Sequence, residues 1–237
     1  MNTNVVLPIT NSFSSRVLSF PWLRICIHVI GLLPLAELIY KYFMHQLTFN
    51  PIQFIEQFFG RAALNLLIIT LAVTPVITIT GRKKLSKHRR TLGLYTFFLF
   101  ALHFTTFLAF DYGFDLKQIF QLIIQKPFIL LGSLAGLMLL SLAATSFKYW
   151  MKRLGKTWAR LHKMIYVIGG LAVLHYALAV KGSLSTLSGN IVRPLVMSGL
   201  VIILLVLRIP PVKKRIISLR KWVLELVLKT SIQSTGK

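Results

Sequence analysis

The 237-residue chain is 55% hydrophobic with a mean hydropathy of +0.71, far more apolar surface than a soluble domain of this length buries, which excludes a soluble globular protein. Its formal charge of +23 would suit nucleic acid, but the basic residues lie between the apolar runs and not along one face. That pattern sets membrane topology and excludes nucleic acid as the partner. The single cysteine, Cys26, lies within an apolar run, which rules out an internal disulfide and a thiolate metal site or redox pair within one chain and leaves packing as its expected role.

Residues 1–20 contain no Ala-x-Ala-like cleavage site after a compact apolar core, and they read as a cytoplasmic tail before an uncleaved first helix. Spans of roughly the 20 residues that cross a bilayer are then expected near 23–43, 61–80, 91–110, 127–146, 164–180 and 191–209. The predicted fold class is therefore all-α: a polytopic, six-helix transmembrane bundle over residues 21–210, with a basic amphipathic tail over 211–237. Pro34 and Pro75 are expected to kink spans one and two. Gly132 and Gly136 form a G-x-x-x-G face in span four that permits close packing. No internal repeat is legible.

Of the 28 Lys and Arg residues, six (Lys41, Arg61, Lys117, Lys126, Lys181 and Arg193) fall on one side of this topology and the other 22 fall opposite. The rule that basic loops stay inside places both termini, and the loops around 81–90 and 147–163, in the cytoplasm.

Six histidines divide by position. His45 and His88 fall in loops and are expected to be solvated, while His28, early in span one, reads as a packed, hydrogen-bonded side chain. His103 lies twelve residues after Thr91 in span three, and His175 twelve after Lys163 in span five. Each is therefore about 18 Å into the bilayer, towards the outer leaflet. Ionisable side chains at such depth point to function, and two imidazoles at one level can clamp a haem. Zinc or non-haem iron would recruit further ligands, but none of the five acids (Glu37, Glu56, Asp111, Asp115 and Glu225) lies in spans three or five. A bis-imidazole haem needs only two protein ligands and leaves no open coordination position, so electron transfer is its natural chemistry. His162, thirteen residues before His175 at the cytoplasmic mouth of span five, has two readings: ligand to a second haem, or interfacial histidine near a propionate or flavin. On a straight helix the two histidines are about 220° apart, a mismatch that a bend at Gly169-Gly170 would lessen.

The segments GRAALNLLIITLAVTPV, RRTLGLYTFFLFALHFTTF and KRLGKTWARLHKMIYVIGGLAVLHY resemble the MsrQ (formerly YedZ) family, the haem-binding membrane subunits of bacterial protein-methionine-sulfoxide reductase systems, within the wider ferric-reductase-like transmembrane group. The likeness runs in order over most of residues 20–210. It implies a subunit of the bacterial inner membrane that carries electrons from the quinone pool or a cytosolic flavin reductase, through b-type haem, to the periplasmic molybdoenzyme MsrP. That partner repairs methionine sulfoxide in oxidised envelope proteins. The resemblance makes His103 and His175 the axial pair, aligns His162 with the family's third histidine, and brings FMN as an associated cofactor.

Around these residues, Arg61 is placed to meet propionates of the outer haem, Arg89 and Arg90 to meet a flavin phosphate or propionate at the inner face, and Trp158 to pack over His162. Members of the wider group pair two histidines on each of two helices, but span three here has only His103. There is no G-x-G-x-x-G, so nicotinamide and flavin chemistry must come from a partner. The chain reads as an electron-transfer subunit without substrate chemistry of its own. Trp222 and the basic residues Lys213, Lys214, Arg215, Arg220 and Lys221 suit an interfacial helix on anionic lipid. Two alternatives stay open: a ferric or cupric reductase-like cytochrome b, and a haem-free transporter or scaffold.

Overall fold

A computed structural model describes residues 22–180, 182–183, 188–189 and 191–235, so the N-terminal tail and Lys181 lie outside the described residues. The chain is all-α apart from a two-residue antiparallel ladder, Gly182–Ser183 against Ser188–Gly189. Five helices are long and apolar enough to cross a membrane, or six if one bent pair is a single span, which makes this a multi-pass membrane protein. They are α1 (Trp22–Phe43), α2 (Pro51–Thr80), α3 (Arg89–Thr106, preceded by a 3-10 turn and followed by a π turn), α5 (Pro127–Ala144) and α8 (Ile165–Ala179, preceded by a short helix and a 3-10 turn). Between them lie three shorter helices: α4 (Leu116–Gln125), α6 (Lys148–Leu154) and α7 (Lys156–Leu161).

Two spans depart from expectation. Helix α2 starts at Pro51, ten residues earlier than the sequence suggests, because Pro51 occupies its first turn and the Asn50 side chain accepts a hydrogen bond from the Gln53 amide at 3.1 Å. Gly81 ends it in the left-handed conformation (φ 75°), donating its N–H to the Ile77 carbonyl. Its 30 residues are about 45 Å long, more than the hydrocarbon core, so the helix tilts or protrudes. The sixth span stops at Val206: α9 (Val192–Val206) is followed after Leu207–Ile209 by α10 (Pro210–Thr235), bent from it by 77°. The proline pair Pro210-Pro211 cannot continue the preceding helix, which accounts for the break.

Helix α2 is the spine. On one flank Leu64, Leu67 and Leu71 meet Ala135, Leu139 and Leu142 of α5, Ile168 and Val173 of α8 and Val201 of α9. On the other, Phe59, Ala63 and Leu66 meet Leu99 of α3, with Leu35 and Leu38 of α1 packed outside. Large apolar side chains elsewhere face outward, as at Leu33 (56% exposed) and Leu137 (65%), which is how a bundle solvated by lipid presents itself. The buried hydroxyls of Thr70, Thr96 and Thr106 donate to the carbonyls four residues back, leaving none unsatisfied in the apolar interior.

Candidate functional site

His103 and His175 come together, with ring centres 6.3 Å apart and ring planes at 69°. Each is oriented by a backbone carbonyl from the start of a neighbouring helix. His103 Nδ1–H donates to the Glu56 carbonyl of α2 at 2.9 Å, and His175 Nδ1–H donates to the Phe128 carbonyl of α5 at 2.7 Å. A carbonyl can only accept, so both imidazoles are fixed as Nδ1–H tautomers and Nε2 is left with its lone pair free to ligate a metal. Two imidazoles ligating one ion from opposite sides at about 2 Å each place their ring centres roughly 6 Å apart, as here. The donor set therefore fits a bis-imidazole iron.

Space for the two rings is provided by glycine. A Cβ added at Gly132 would lie 2.7 Å from His175 Nδ1, and one at Gly60 would lie 3.1 Å from His103 Nδ1. The two halves of the site share one register: each histidine bonds a carbonyl 47 residues earlier in the chain and rests on the glycine four residues beyond that carbonyl. A repeat is thus present at the site, α2–α3 matching α5–α8, although too few of its residues are shared for the sequence alone to reveal it. The G-x-x-x-G face of α5 serves side chains in place of a helix backbone, Gly132 receiving His175 and Gly136 receiving Phe100, whose Cζ would be 2.2 Å from an added Cβ.

Arg61, beside Gly60, lies within electrostatic reach of Arg193 at the start of α9 and Tyr176 next to His175, so it stands at the same end of the bundle as the pair. Arg193, Gly60 and the two carbonyls were missed in the sequence; only the Gly-x-x-Ala shared by Gly60–Ala63 and Gly132–Ala135 hinted at them. Immediately after His103 the helix widens into a π turn at Phe107–Asp111, a feature frequent at functional sites.

His162 stands apart from the pair. It lies in the 3-10 turn His162–Met164 that links α7 to α8, so the irregularity falls at His162 itself and α8 runs on as an α-helix through Gly169-Gly170. Its ring lies 4.0 Å from that of Trp158, which also donates its indole N–H to the Thr145 carbonyl at 2.9 Å. His162 Nδ1–H donates to the Trp158 carbonyl at 3.1 Å, and Nε2 faces Ser146 Oγ at 3.5 Å. Arg89 is half-buried with its Nε enclosed, whereas Arg90 is exposed.

The other three histidines make no contact with the pair. His28 Nδ1 bonds the Tyr95 hydroxyl at 2.7 Å. His88 corrects its expected solvation: it is only 7% exposed, because the 3-10 turn folds it against α1, where it lines a cavity of about 290 Å³ with Arg24, Ile27, His28, Lys87 and Thr91. His45 is exposed at a left-handed turn (φ 52°).

Residues 59–173 match the family described as ferric reductase like transmembrane component. The protein-methionine-sulfoxide reductase heme-binding subunit MsrQ of Xanthomonas campestris pv. campestris (strain B100) is 41% identical over 167 residues, covering 68% of this chain and 77% of that protein. The subunits of the same name from Xanthomonas axonopodis pv. citri (strain 306) and Herminiimonas arsenicoxydans are each 38% identical, over 185 and 182 residues, covering 76% of this chain and 82% and 81% of theirs. No solved structure matches significantly. A carbonyl-oriented histidine pair between α3 and α8, in a chain this similar along most of its length to such subunits, places the protein in the MsrQ family, within the ferric-reductase-like transmembrane group.

Proposed function

We propose that the chain is a b-type cytochrome subunit that passes electrons outward across a bacterial inner membrane to a periplasmic molybdenum-containing methionine sulfoxide reductase, the partner MsrP. The observation that carries this reading is the pair His103 and His175, 6.3 Å apart and both held as Nδ1–H tautomers. The haem-binding character of the named relatives supports it.

Bound between these histidines, a haem supplies a reversible one-electron iron couple. The protein's part is preorganisation. The Glu56 and Phe128 carbonyls hold the two rings in place and raise their basicity, favouring the oxidised, more electron-poor iron. Arg61 and Arg193, at the same end and, among the described residues, with no acid paired to either, would supply cationic partners for propionates. His103 and His175 would together hold the haem, which would supply electron transfer alone and leave sulfoxide chemistry to the acceptor.

His162 and Trp158 form the inner station. His162 faces the Ser146 hydroxyl and the Leu142 carbonyl beside it, and on giving up these contacts it would serve as the single protein ligand to a second haem, with the Trp158 indole holding its ring. Electrons enter from quinol or from a cytosolic flavin reductase, with FMN on that donor side and no residue assigned to it. The excess of basic residues in the loops at this end supports a cytoplasmic entry side and cytoplasmic termini.

The test is a reduced-minus-oxidised visible spectrum of the detergent-purified protein, with haem quantified per chain. His103→Ala and His175→Ala should each abolish the low-spin b-type signal. His162→Ala should leave it and remove at most one other haem. A colourless wild type, expressed with ample haem, would sink the reading.

A further inference from the structure

The end of the bundle carrying His162 holds three arginines whose Nε atoms are buried without a hydrogen-bond partner: Arg89, Arg208 and Arg220. Each comes from a different element: the first turn of α3, the break between α9 and α10, and α10 itself. Arg208 is drawn across the bundle to donate through its terminal nitrogen to the Leu71 carbonyl of α2, and its guanidinium lies 4.6 Å over the Tyr166 ring. Arg89 is near enough for the two positive charges to repel. Arg220 donates to the Thr78 carbonyl at 3.1 Å. Leu71 and Thr78 are seven residues apart on α2, so Arg220 stands about 10 Å nearer the helix end.

Carbonyls and a π face partly satisfy these groups but neutralise none of them. Among the described residues the one ion pair is Lys41–Glu37, on α1. Glu56, Asp111 and Asp115 all belong to the other end, near His103, and Glu225 is exposed on α10. Like charges gathered in a low dielectric with enclosed, unpaired N–H donors are costly unless an anion completes them. The level also matters. The 77° bend that seats Arg208 sits where α9 ends and α10 turns aside with Trp222 exposed, the height at which an interfacial helix meets headgroups.

We propose that Arg89 and Arg208, with Arg220 at the rim, form a binding site for the phosphate of a tightly held anionic phospholipid headgroup at the inner face. Guanidinium forks match phosphate oxygens in pairs, and the site bolts α10 and the α9–α10 break to the ends of α2 and α3. The inference does not depend on the haem reading.

The test is phosphorus per chain, with ligand mass by native mass spectrometry, on full-length protein carried through extensive detergent exchange. Wild type should retain about one phosphate-bearing ligand per chain, and Arg89→Gln/Arg208→Gln should lose it. A glycerophospholipid mass supports the site, and a flavin mass in its place overturns the lipid assignment. Should the double variant fail to fold, wild type stripped of lipid is titrated with short-chain phosphatidylglycerol and with the matching diacylglycerol. A rise of several degrees in melting temperature with the first alone supports the site, and equal responses overturn it. Phosphorus absent from wild type, or equal in both proteins, also overturns it. Loss of haem from the variant with phosphorus unchanged would assign the anion to a haem carboxylate and overturn the phosphate site.

Discussion

Gly132 shows how little room the histidine pair has. A methyl group there would meet the His175 ring at 2.7 Å, a distance real side chains do not tolerate, so Gly132→Ala must rotate the imidazole off the Phe128 carbonyl or push α5 from α8. At Gly60 the same change meets His103 at 3.1 Å, which a shift of a few tenths of an ångström relieves. The expected outcome is graded. Gly132→Ala should retain less than a fifth of the wild-type haem per chain, while Gly60→Ala should keep most of it with a shifted potential. Pyridine haemochrome assay and redox titration check this, and equal retention in both variants would mean that the glycines do not frame the site. Gly31→Ala makes a useful contrast. Its Cβ would fall 2.4 Å from the Tyr95 ring, far from the pair, so about 1–3 kcal/mol of overpacking should lower the melting temperature with haem content intact.

At the scale of elements, hydropathy was enough to find the spans, because a lipid-facing helix must be apolar around most of its circumference and polar interruptions mark its ends. The histidine pairing was legible for the same reason: equal depth on two spans that run the same way is a matter of counting residues along a helix. What the sequence hid depends on tertiary contact. The early start of α2 rests on one capping asparagine and a proline, local signals overshadowed by the polar Gln53, Glu56 and Gln57 that follow. The carbonyls of Glu56 and Phe128 carry no side-chain signature at all, and Arg193 and Arg208 read as topogenic charges until helices from distant parts of the chain are packed beside them. The break between the sixth span and the tail was legible to within three residues, the span ending at Val206 and not at 209, ahead of Pro210-Pro211. With that bend, α10 should lie along the membrane surface. Trp222, 58% exposed, is the natural probe. In a variant in which the remaining tryptophans are phenylalanine, its fluorescence should be quenched by lipids brominated near the headgroup and hardly at all by lipids brominated at the chain ends.

At the scale of the whole molecule, the pair and the cationic cluster occupy opposite ends of one α2 spine. His103 is oriented from Glu56 in the second turn of α2, while Arg208 reaches Leu71 and Arg220 reaches Thr78 in its last turns. From Glu56 to Thr78 is 22 residues, about 33 Å of helix and the thickness of a hydrocarbon core. If the basic end faces the cytoplasm, as the asymmetry of charge predicts, the histidine pair lies nearer the periplasm and the molecule has a polarity for electron transfer. That polarity can be measured without knowing the natural donor. Haem in sealed membrane vesicles is first reduced with a permeant reductant, and a membrane-impermeant oxidant is then added outside. Right-side-out vesicles should reoxidise the low-spin haem at least tenfold faster than inverted ones, because only there does the oxidant approach the end that carries His103 and His175. Arg61→Gln/Arg193→Gln should slow an anionic oxidant more than a neutral one, since the two cations draw negative charge to that mouth. Equal rates in the two vesicle orientations would place the haem at the middle of the membrane and remove the outward direction from the proposed path.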